Sequence, residues 1–91
     1  MSMPRLTIGK TIVRIRTGVN PGFKAALKQT VRYPDSRWDD QYMCWKAAIH
    51  RVEDVKRVLF QFYDTIEIRE KGQPDRVIDA TGREVRQETL F

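Results

Sequence analysis

Alternating apolar and polar residues are the first pattern along the chain. Val13 and Ile15 alternate with Arg14 and Arg16 inside residues 11–17, a run rich in β-branched side chains, and Leu6-Thr7-Ile8 has the same character. Both stretches read as strand. Between them, Gly9-Lys10 is either the turn of a hairpin or a bulge in one long strand. The period then changes. Asn20 is a capping residue and Pro21 stands at the first helical position, while Phe23, Leu27 and Val31 recur at i, i+4 and i+8. This predicts a helix over 21–31, with Lys24 and Lys28 on its flank and Arg32 in its last turn, where a cation suits the helix dipole.

Tyr33-Pro34-Asp35-Ser36 is a turn by composition. Residues 37–39 and 42–49 read as two strands reversed at Asp40-Gln41, which brings Trp38 beside Trp45 across a hairpin. A second helix is predicted over 52–63. Val52, Val55, Leu59 and Phe62 form its apolar face, Val58 widens it, and Glu53 and Asp54 lie in the favourable first turn. Lys56 and Arg57 face outward. Residues 65–69 and 76–79 read as strands joined by a turn at 71–74. After a turn at Thr81-Gly82, residues 83–86 are either a last strand or a tail. The expected order is β-α-β-β-α-β with a C-terminal hairpin. That is an α+β fold: a small antiparallel or mixed sheet with both helices packed on one face and the other face open. With 91 residues the expectation is one domain, with a compact core over 6–70 and a hairpin or tail over 71–91.

Charge adds a partner class. Seventeen Lys and Arg oppose twelve Asp and Glu, and so basic a small domain points first to a polyanion. No apolar run is long enough to span a bilayer, and the N-terminal residues lack a signal-peptide stretch, so no membrane is expected and a cytoplasmic location is. Cys44 is the only cysteine. That leaves no internal disulfide and too few thiols for a zinc site, and a half-buried structural thiol is expected. His50 is the only histidine; it is expected to be structural or solvent-exposed. Asp35, Asp39 and Asp40 fall at turn positions, where Asp is ordinary, and do not come from separate elements as a Mg²⁺ site requires. There is no P-loop and no dinucleotide fingerprint. No metal and no cofactor is expected. A hydrolase built on Asp39, Asp40 and His50 lacks partners for acid–base work, so the chain is read as a non-enzyme.

The candidate binding residues follow from the strand pattern. Arg14 and Arg16 point to one face of a strand about 7 Å apart, close to the spacing of successive phosphates. Lys46 and Arg69 join them on the sheet, and Lys24, Lys28, Arg32 and Arg37 add further positive charge. The competing reading is a solvated face whose arginines pair with Glu67 or Glu70. Trp38, beside Arg37, and Tyr42 are candidate stacking platforms for an unpaired base. For the indoles of Trp38 and Trp45, burial as core is the favoured alternative.

Asn20-Pro21-Gly22-Phe23, Leu27-Lys28, Arg37-Trp38-Asp39, Trp45-Lys46-Ala47 and the run from Val52 to Leu59 follow an order that resembles the HARP domain of annealing helicases. They also resemble the damage-recognition domain of the repair helicases related to xeroderma pigmentosum, in which Asp54-Val55 and Leu59 find counterparts. The resemblance covers residues 6–70. In those families the domain is fused to an ATP-driven motor, and with no P-loop in these 91 residues no motor is expected here. The resemblance implies a stand-alone accessory domain of DNA repair or replication that binds DNA junctions or distorted duplexes by shape and phosphate more than by base sequence. The other class of function is a protein-interaction module, of the kind with which small phage and plasmid proteins modulate a host or DNA-processing protein. Such a module would use the open face or an exposed strand edge at Val77-Ile78.

Overall fold

The computed structural model describes residues 3–85. Its elements are β1 (Arg5–Ile8), β2 (Ile12–Arg16), α1 (Pro21–Thr30), β3 (Ser36–Asp39), β4 (Cys44–Ala48), α2 (Val52–Phe62), β5 (Thr65–Glu70) and β6 (Arg76–Asp79), with a 3-10 turn at Ile49–Arg51 leading into α2. Gly9-Lys10 is a hairpin turn: the Gly9 N–H donates to the Ile12 carbonyl at 2.9 Å, and β1 pairs antiparallel with β2. A Cβ on Gly9 would stand 2.9 Å from that same oxygen, so this position admits no side chain without moving the turn. The expected element order is therefore corrected. The opening strand is two strands, and the order is ββαββαββ.

The six strands form one mixed sheet in the order β3-β4-β2-β1-β5-β6. Only the β1–β5 pair is parallel. Period-two alternation buries Leu6, Val13, Ile15, Ala47, Ile66 and Ile68 on one face. Phe23, Leu27 and Val31 from the first helical segment and Val55, Val58 and Leu59 from α2 close over them as one core. The α+β class and the single helix-covered face are thus as expected.

Helix ends show why the boundaries fall where they do. The Asn20 side chain accepts from the Phe23 N–H at 3.0 Å and donates through Nδ2 to the Tyr63 hydroxyl at 2.9 Å. One residue therefore caps α1 and ties it to the residue that ends α2. Replacing Asn20 with alanine is expected to cost about 1–2 kcal/mol in urea denaturation. Tyr63→Phe, which keeps the cap, is expected to cost less; equal losses would show that the cap contributes nothing. α1 stops one residue short of the prediction, with Val31 donating its N–H to the Leu27 carbonyl as the C-cap. Arg51 holds the other end of the layer. It donates to the Thr30 carbonyl at 2.7 Å and to Asp54 at 2.8 Å, and it pairs with Asp35 at 3.5 Å.

The β3–β4 reversal is longer than the two residues predicted. Asp39 Oδ1 accepts the Gln41 and Tyr42 N–H groups, and Met43 takes a left-handed φ of 51°. The turn thus consumes Tyr42 and Met43, and β4 begins at Cys44. At the other edge of the sheet, the Val85 N–H donates to the Val77 carbonyl at 2.7 Å and the Asp79 N–H to the Arg83 carbonyl at 3.0 Å. The expected open edge at Val77-Ile78 is therefore occupied by the chain's own return, which corrects that part of the protein-partner reading. Arg86, the last residue of the predicted final strand, lies outside the described residues. Among the described residues no helix is long and apolar enough to cross a membrane.

Candidate nucleic-acid interface

Strand register decides which cations meet. Arg37 on β3 faces Lys46 on β4, Lys46 faces Arg14 on β2, Arg14 faces Thr7 on β1, and Thr7 faces Arg69 on β5. Paired residues point to the same side. These five positions therefore form one row across the uncovered face, and four of them are cationic. Arg16 and Arg5 oppose each other in the next row. At a strand spacing of about 4.8 Å, like charges set opposite one another destabilise a sheet.

Carboxylates relieve part of this repulsion. Lys46 pairs with Asp39 at 3.4 Å, Arg69 with Asp75 at 3.1 Å, and Arg5 with Glu67 at 3.3 Å. The Arg5 Nε–H is buried and makes no hydrogen bond despite that distance, so the contact with Glu67 is one of charge alone. Burial pushes the Asp39 carboxyl upward, but the Tyr42 and Gln41 N–H groups and Lys46 outweigh it and hold the group below its usual range. Asp39 therefore stays ionised at neutral pH and keeps Lys46 half-neutralised. Arg69 is a weaker candidate than expected for the same reason.

Arg14, Arg16 and Arg37 form no ion pair among the described residues. The competing reading, in which the strand arginines pair with Glu67 or Glu70, does not hold for Arg14 and Arg16. Both instead fasten Tyr42 onto the open face. The Arg14 guanidinium lies 5.2 Å from the centre of the Tyr42 ring, and Arg16 donates to the Tyr42 carbonyl at 3.0 Å. Tyr42 remains half-exposed, a ring held between two arginines.

The other candidates lie elsewhere. Trp38 pairs with Trp45, so it is on the helix side of the sheet. The two indoles meet edge to face at 5.5 Å, as predicted, but their burial differs: Trp45 is core at 8% exposure, whereas Trp38 keeps 45%. Its indole N–H donates to Asp40 at 2.6 Å. Lys24, Lys28 and Arg32 line a groove on this same helix side. The eight predicted cations thus divide into five on the open face and three on α1 and its C-terminal flank.

Cys44 is more deeply buried than expected, at 2%. Burial, then the nearby Asp39 charge, push its thiol upward against the pull of Arg14, Arg16 and Lys46, which suits an inert structural role. Asp35, Asp39 and Asp40 each engage a different partner, respectively Arg51, Lys46 and Trp38. His50 sits exposed 3.6 Å from Asp35. No cluster of three or more metal-ligating side chains occurs among the described residues.

Two features escaped the strand-by-strand reading. Arg5 belongs to the face, and alternation in Arg5-Leu6-Thr7 would have placed it there. The positive charge is also concentrated in one part of the chain: residues 1–34 hold seven Lys and Arg with no Asp or Glu, whereas residues 35–91 hold ten against twelve. Segregation along the sequence is the signal that predicts segregation on the surface. Comparison of the chain with protein-family models, with curated proteins and with solved structures found no match.

Proposed function

We propose that this is a small non-enzymatic nucleic-acid-binding protein that grips phosphates with the open face of its sheet. One observation carries the reading: the row Arg37–Lys46–Arg14–Thr7–Arg69, in which like charges are held side by side and only partly neutralised. Such a row is unfavourable in isolation, and a polyanion laid across it removes the repulsion while releasing its own counterions. Arg14, Arg16 and Arg37 are the principal phosphate contacts, and Tyr42 offers a ring against which a base or sugar can pack. The likeness to HARP-type domains supports DNA, recognised by shape and backbone, as the ligand.

The test is fluorescence anisotropy with labelled single-stranded, duplex and forked DNA at two salt concentrations. With about four phosphate contacts, affinity is expected to fall roughly 100-fold between 50 and 200 mM salt. Forked DNA is expected to bind more tightly than plain duplex. Absent binding, or binding indifferent to salt, refutes the proposal.

A further inference from the structure

Two helices packed about 9 Å apart cannot span a sheet whose outer strands are about 24 Å apart. α1 and α2 cover the middle and leave a groove of about 1380 Å³ beside α1, over β3 and β4. Its floor includes Trp38 and Trp45. Of the six large apolar side chains that stand exposed among the described residues, four border this groove: Val19, Tyr33, Trp38 and Met43. Val19 is fully exposed and Met43 is 66% exposed. Apolar exposure concentrated in one place marks a binding surface. One wall is a ridge of positive charge. Lys24 and Lys28 lie one helical turn, about 6 Å, apart on α1, and Arg32 follows them just past the C-cap. None of the three forms an ion pair among the described residues.

We propose that this groove docks an acidic amphipathic helix from a partner protein. Such a helix fills the missing place in the helical layer. Its apolar stripe covers Trp38 and Met43, and its carboxylates, repeating at i, i+4 and i+8, run along Lys24, Lys28 and Arg32. Lys24, Lys28 and Arg32 run along one wall, Arg16 and Arg37 add positive charge at the sheet, and Val19, Trp38, Met43 and Trp45 supply apolar surface, which matches an element with one acidic and one apolar stripe. An amphipathic helix is favoured over a nucleic-acid strand because the aliphatic Val19 and Met43 share the exposed surface with the rings of Tyr33 and Trp38, and a base stacks only on the latter. The inference is separable from the role proposed for the open face: Arg14, Lys46 and Arg69 do not line the groove, whereas Arg16 and Arg37 border both surfaces.

The experiment titrates the full chain with a synthetic 16-residue peptide that carries a leucine stripe flanked by glutamates at i, i+4 and i+8 and has no aromatic residue. Indole emission then reports this protein alone. A saturable blue shift from Trp38 is expected. Lys24→Glu/Lys28→Glu is expected to weaken binding at least about tenfold, and Lys24→Gln/Lys28→Gln to weaken it less. Both lysines are exposed, so unchanged thermal melting will show that these variants fold. Arg14→Glu is expected to leave peptide binding intact while weakening DNA binding. The proposal is overturned if no saturable shift appears, if a peptide of the same composition with its stripes scrambled binds equally, or if Lys24→Glu/Lys28→Glu binds as the parent does. It is also overturned if oligo-dT displaces the peptide and itself depends on Lys24 and Lys28, which would assign the groove to a nucleic-acid strand.

Discussion

Phe23→Ala is expected to lower the unfolding free energy by about 3–5 kcal/mol, a large share of the roughly 5–14 kcal/mol available to a domain of this length. Phe23 is 1% exposed and sits where α1, α2 and the sheet converge. Its ring meets Phe62 of α2 edge to face, with centroids 6.5 Å apart. The backbone approaches closely here as well: a Cβ on Gly22 would lie 2.9 Å from Phe62 Cε1. A cavity at this point cannot be closed by moving one helix, because the same helix is tied to α2 through Asn20 and Tyr63. With a urea dependence of about 1–1.5 kcal/mol per molar, the denaturation midpoint is expected to drop by roughly 2–5 M. Phe62→Ala removes the other half of the same ring pair from a site that is 41% exposed, and a loss of only about 1–2 kcal/mol is expected. If Phe23→Ala unfolds within about 0.5 M of the parent, the two helices do not share the core described.

Local signals were readable and long-range ones were not. Asn20-Pro21 marked the start of α1 because a capping side chain and a fixed φ act within four residues. The spacing of Phe23, Leu27 and Val31 identified the buried stripe for the same reason. Alternation in β2 placed Arg14 and Arg16 on the solvent side without any knowledge of the neighbouring strands. The row of cations is different in kind. It depends on four pairings, β3 with β4, β4 with β2, β2 with β1, and β1 with β5, and the last is a parallel pairing between residues 62 positions apart, Arg5 and Glu67. No local period encodes that register. The separation of Lys24, Lys28 and Arg32 from the sheet cations was hidden similarly, since a helix flank and a strand face can be adjacent or opposed depending on the layer the helix joins. Trp38 shows both limits. Its nearness to Trp45 followed from the hairpin, but its exposure is set by how far α1 reaches across the sheet. Asp39 was read as a turn residue, and Asp75, between a turn and a strand, carried no reading. Their partners, Lys46 and Arg69, show that a turn carboxylate can decide which cations on a neighbouring strand are free to bind.

Reversing charge in the middle and at the edge of the row, with Arg14→Glu/Arg37→Glu, is expected to weaken DNA binding at least about 100-fold at 100 mM salt. Two phosphate contacts are lost and two anions are put in their place. The neutral pair Arg14→Gln/Arg37→Gln separates these contributions. It is expected to reduce the slope of log affinity against log salt by about 2, one contact per residue, with a smaller loss of affinity. Neither side chain is buried or ion-paired among the described residues. Removing their charge relieves repulsion with Lys46 and gives up the Arg14 contact with the Tyr42 ring, so thermal stability is expected to hold. That combination, weaker binding with undiminished stability, is the mark of cations kept for a ligand and not for the fold. Lys56→Glu is the control. Lys56 lies on α2, paired with Glu53 at 3.6 Å, on the covered side of the sheet, and its reversal is expected to change DNA affinity by less than about threefold. If Lys56→Glu and Arg14→Glu/Arg37→Glu weaken binding equally, net charge alone drives association and the sheet face has no special part in it. If the arginine pair costs stability and leaves the salt slope unchanged, the row is structural, and the phosphate contacts must be sought among Lys24, Lys28 and Arg32.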